Sequence, residues 1–129
     1  MLTHPNGNMM FVESISGLDL SEFENIYIIT TKEILDKYEG AKDGIKQNML
    51  DKFNRNIHVV ELENNTKSQS ETVYRAIKDV GINGAILVKD SDGYFEASGF
   101  DDNCVCYCDA SFHNISRIQN KSFITYNEE

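Results

Sequence analysis

Apolar positions along this chain come in short runs and stripes, and their spacing alternates between two periods. Residues 26–29 of ENIYIITT are continuously apolar and β-prone, the pattern of a strand covered on both faces. IHVVEL at 57–62 reads as the next strand and AILVK at 85–89 as a third, a short apolar run. Between them the period lengthens. Ile34, Leu35 and Tyr38 share one side of a helix that Thr31 can cap and Gly40 can stop. Ile45, Met49, Leu50 and Phe53 form a stripe on a helix from about Lys42 to Asn54. Val73, Ala76, Ile77 and Val80 do the same in SETVYRAIKDVG, with Ser68 or Ser70 as candidate cap and Gly81 as stop.

Before the first strand, His4–Gly7 reads as a turn and NMMFVESISGL as a helix with Gly17 near its end. After the third strand come a DSDGYF turn, a loop rich in Asp and Gly, and two β-rich pieces, CVCYC and SFITY. The order predicts an α/β domain, a three-layer sandwich with a mostly parallel sheet and helical crossovers on both faces. At 129 residues the chain suits one domain.

Charge narrows the function. A formal net charge of −9 excludes a general grip on nucleic acid, whose phosphates demand Lys and Arg. It leaves a small anionic ligand open, because a divalent cation can bridge acid to acid. No run of 18 apolar residues exists to span a membrane, and MLTHPNGNMM lacks the basic and apolar regions of a secretory leader, so the expected location is cytoplasmic. Cys104, Cys106 and Cys108 alternate along one strand face, about 7 Å apart, a row that suits buried reduced thiols better than a disulfide or a zinc site.

The candidate chemistry lies in two places. Asp90 and Asp92 follow the third strand directly, and ligands of open α/β sheets bind outside the carboxyl ends of strands. A D-x-D pair offers hard oxygen donors to Mg²⁺, which takes the rest of its shell from substrate phosphates and water. The competing reading is a solvated turn, since Asp, Ser, Asp and Gly are ordinary turn residues. An EF-hand loop is excluded: counting from Asp90, position six is Phe95 where glycine is required, and position twelve is Asp101. The loop NTKSQSET opens a helix, so its donors either face an anion or a nucleobase or simply cap that helix. His4, His58 and His113 are not at ligand spacing from one another.

Taken in order, FENIYIITTKE, SQSETVYRAI, AILVKDSDGYF and NKSFITYNEE resemble successive segments of sugar-nucleotide-type nucleotidyltransferases, as found in capsule and lipopolysaccharide biosynthesis. The resemblance implies a Rossmann-like fold and transfer of a nucleoside monophosphate from an NTP to a phosphorylated sugar or similar small acceptor, releasing pyrophosphate with the help of Mg²⁺. It implies that Asp90 or Asp92 binds the metal, that Gln69, Ser70 and Thr72 lie near the base or ribose, and that Lys121 serves the acceptor side. By analogy with cytidylyltransferase-like relatives, the NTP is expected to be CTP.

The chain departs from that family where it matters for catalysis. Such enzymes open with a strand and a glycine-rich loop carrying Arg and Lys, and His4–Gly7 has one glycine and no Arg or Lys. The expectation is therefore a partial domain, cut at both ends and inactive alone, with exposed strand edges, marginal stability, or pairing with a second copy or a missing segment of its own domain. The alternative is a non-catalytic nucleotide-binding or assembly module that keeps the fold without the triphosphate loop.

Overall fold

A computed structural model describes residues 3–100 and 103–105. Compact units comprise Met1–Ser98 and Gly99–Glu129, and the elements below all belong to the first. The CVCYC and SFITY pieces lie outside the described residues apart from Cys104, which is exposed, and Val105.

The HPNG turn forms. His4 N donates to Asn8 O (2.8 Å), Gly7 takes φ +93°, and Thr3 bridges Met9 antiparallel. The helix that follows, α1 (Met10–Ser14), is shorter than its apolar pattern predicts. It stops at Ile15, and the chain turns through Gly17 into a 3₁₀ turn, Leu20–Glu22, where Asp19 accepts from Ser21 N. Strand β1 (Tyr27–Thr31) leads at once into α2 (Lys32–Lys37) and then α3 (Ala41–Phe53). Asn54, at φ 52°, ends α3 in the left-handed conformation that asparagine tolerates. Strand β2 (His58–Leu62) follows, then α4 (Gln69–Val80), which Gly81 closes at φ 72°.

The two strands pair in parallel, with Tyr27 opposite His58 and Thr31 opposite Leu62. Helices lie on both faces. Ala76 of α4 packs with Val60 and Leu62, joined by Tyr27 and Ile29. The alternate β2 positions point the other way, and there Glu61 meets Lys42 of α3 at 4.0 Å. Crossover helices are what a parallel pair requires, and the α/β class read from the sequence holds at this level.

A second group of buried side chains holds α1 to α3. Val12, Ile45 and Met49 are essentially sealed from solvent. Around them, Met9 N donates to Asn48 Oδ1 (3.2 Å), and Lys52 Nζ reaches Glu13 Oε1 at 2.8 Å. Lys52 and Asn8 together hold the Glu13 carboxyl at about 2, well below its ordinary range.

The third strand is the main correction. AILVK makes no ladder with β1 or β2, and Ile86 and Val88 are 49% and 48% exposed. Residues of the right type stand there, but among the described residues no neighbour supplies the backbone hydrogen bonds that would make them a strand. The α3 stripe is corrected in part: Ile45 and Met49 are buried, whereas Leu50 is exposed. Ile34 and Tyr38 of α2 are exposed as well.

Candidate functional site

The loop between β2 and α4 is built by its own side chains. Ser68 is the N-cap, its Oγ accepting from Glu71 N at 3.2 Å. Glu71 reaches back to accept from Lys67 N at 2.8 Å, which with the Arg75 pair lowers its carboxyl pKa. Thr72 Oγ1 donates to Ser68 O (3.1 Å) and touches the Thr66 hydroxyl. The Ser70 hydroxyl pairs with Ser68 Oγ at 3.0 Å. Two of the three residues that the family resemblance assigns to the base or ribose, Ser70 and Thr72, thus already serve the cap.

Gln69 does something else. It is exposed at the first turn of α4, and its Nε2 donates to Asp90 Oδ1 across 21 residues of chain. That contact joins the two places singled out in the sequence. The carboxylate pair follows no formed strand, so its position is fixed by the turn and by Gln69, not by a sheet.

The turn is organised around Lys89. Its ammonium donates to Asp90 O at 2.9 Å and to Gly93 O, and lies 5.0 Å from the Phe95 ring centre. Partial burial lowers the Lys89 pKa, and the charges of Asp90 and Asp92 oppose that shift. Beyond the turn, Tyr94 donates to Glu96, and Ala97 bridges Leu18 in parallel. Gly17 is required there: a Cβ at that position would meet Phe95 O at 2.2 Å.

An open groove of about 440 Å³ runs beside the Gln69–Asp90 contact, lined by Gln69, Ser70, Val73, Tyr74, Ile77 and Val88. Its polar end belongs to the α4 cap and its walls are apolar, with Tyr74 64% exposed. The sequence did not single out either groove residue: Val88 was read as part of a third strand, and Tyr74 lies off the apolar stripe of α4.

The donor set fits a metal only in part. Among the described residues no three His, Cys, Asp or Glu side chains gather to hold an ion. A resident metal is therefore not supported by these side chains. An Mg²⁺ carried on a nucleotide's phosphates needs only one or two carboxylates from the protein. Lys121 lies outside the described residues. Among the described residues, no helix is long and apolar enough to cross a membrane.

The chain matches no known protein family, no curated protein and no solved structure.

Proposed function

We propose that this chain is the nucleotide-facing part of a nucleotidyltransferase that moves a nucleoside monophosphate from an NTP to a small phosphorylated acceptor. The observation that carries the reading is the Gln69–Asp90 hydrogen bond, which brings the α4 entrance and the DSDG turn together beside the groove. A nucleobase is flat and has apolar faces, so Tyr74 and Val88 can cover it while Gln69 and Ser70 meet its polar edge. Asp90 and Asp92 then face the phosphates.

In this reading the acceptor phosphate attacks the α-phosphorus in line and pyrophosphate leaves. Asp90 and Asp92 would be the residues to meet an Mg²⁺ carried on the triphosphate, which would supply charge neutralisation at the phosphates and the leaving group. The chain's own residues position the nucleotide: the α4 entrance orients the base, and the turn sets where the carboxylates stand. CTP is the first nucleotide to test. The assay is calorimetric titration of Mg–CTP, with Mg–UTP and Mg–ATP beside it, into the wild type and into Asp90→Asn and Asp92→Asn. Circular dichroism checks that each variant keeps its fold. Binding should fall in both variants, and unchanged binding in both would remove the site assignment.

A second reading has its own support. Val88 and Tyr74 are exposed and line one groove, and Ile86 is exposed as well, which suits a module that pairs with a second copy or with another segment. That reading requires self-association in sedimentation equilibrium and no affinity for Mg–nucleotides.

A further inference from the structure

We infer that residues 82–90 are a latched strap: the Gln69–Asp90 hydrogen bond sets how wide the groove beside α4 stands, and releasing it frees the wall that carries Val88. The strap behaves so whichever ligand the groove takes. The segment leaves α4 at Gly81 and returns to the opposite end of the helix, where Asp90 accepts from Gln69 Nε2. From Gln69 to Val80 a helix is about 16 Å long. The extended chain from 81 to 90 can span about 30 Å. The return path is therefore slack, and covalent length does not press it against the helix.

Burial does not hold it either. None of residues 81–98 is buried, and residues 82–90 belong to no helix or strand. Gly84, at φ +103°, gives the segment a bend that a residue with a side chain resists. At the far end, the Lys89 ammonium donates to the carbonyls of Asp90 and Gly93, so the turn there is a preformed piece. What joins that piece to α4 is the Gln69 amide. The two walls of the groove thus differ. Ala76 anchors α4 on Val60 and Leu62, so the wall of Val73, Tyr74 and Ile77 is fixed. Val88 stands on the strap and moves with it. A guest that takes the Gln69 amide breaks the latch as it enters.

The test is made on the full chain with no nucleotide or metal present. In wild type the backbone order parameters of residues 86–90 should approach those of α4, about 0.85. Gln69→Ala removes the donor and should lower them below about 0.6, with α4 and β1 unchanged. Gln69→Lys returns a donor to the same carboxylate and should keep the strap ordered. Nile red, an uncharged apolar dye, should bind Gln69→Ala roughly fivefold more tightly than it binds wild type or Gln69→Lys. Unchanged order or unchanged dye affinity in Gln69→Ala overturns the inference, as does a wild-type strap already below about 0.6. Asp90→Asn keeps an acceptor for Gln69, so failure of the strap leaves the Mg–CTP test of that variant standing, and the converse also holds.

Discussion

IHVVEL and AILVK both read as strands, yet the chain treats them differently. In the first, Val60 and Leu62 are buried beneath α4, and the backbone pairs with β1 over five residues. In the second, Ile86 and Val88 stay half-exposed and unpaired with either strand. The difference lies outside both sequences. His58–Leu62 has β1 at its edge and a helix on each face, whereas residues 85–89 pair with neither described strand and meet α4 only across the open groove at Val88. Apolar β-branched runs nominate strands, but an edge to pair with makes one.

The largest effect belongs away from both segments, where α1 meets α3. Met49→Ala should cost about 2–5 kcal/mol in urea unfolding, since Met49 is fully buried. The matched valines come next. Val60→Ala should cost about 1.5–2 kcal/mol, while Val88→Ala should stay within about 0.5 kcal/mol. If the two valines cost the same, residues 85–89 are as well packed in solution as β2, and the contrast falls. Ser68→Ala should cost about 1 kcal/mol through loss of the α4 cap, measured by thermal unfolding.

Acid sharpens the picture at the α1–α3 junction. The Glu13 pKa is depressed to about 2 by Lys52 and Asn8, so its contribution is complete above the ordinary carboxylate range near 4.5. It should fade as pH falls from there toward about 2. Glu13→Gln should flatten that part of the stability profile, and an unchanged profile would show that another group carries the acid sensitivity.

Legibility followed the local signals. The caps of α4 were readable because Ser68 and Gly81 act on backbone within one turn of themselves. The α3 span was readable from Ile45 and Met49, and the HPNG turn from its dipeptides. Three things were not readable. The third strand failed because pairing is non-local. The early stop of α1 depends on a turn through Gly17 that brings the chain against Phe95. The Gln69–Asp90 contact joins residues whose separation in sequence gives no periodic signal. Asp90 and Gln69 were each visible as candidates, but their meeting was a product of the fold.

Gly17 also bears on the order in which the chain is made. Its carbonyl accepts from Ala97 N, and Leu18 bridges Ala97, so this early turn is completed by a residue near the far end of the unit. On a ribosome the helices and both strands emerge well before that partner exists. Until residue 97 clears the exit tunnel, the stretch around Leu18 has to wait without its bridge. A nascent chain arrested before that point should therefore be cleaved there by a protease that the finished chain resists.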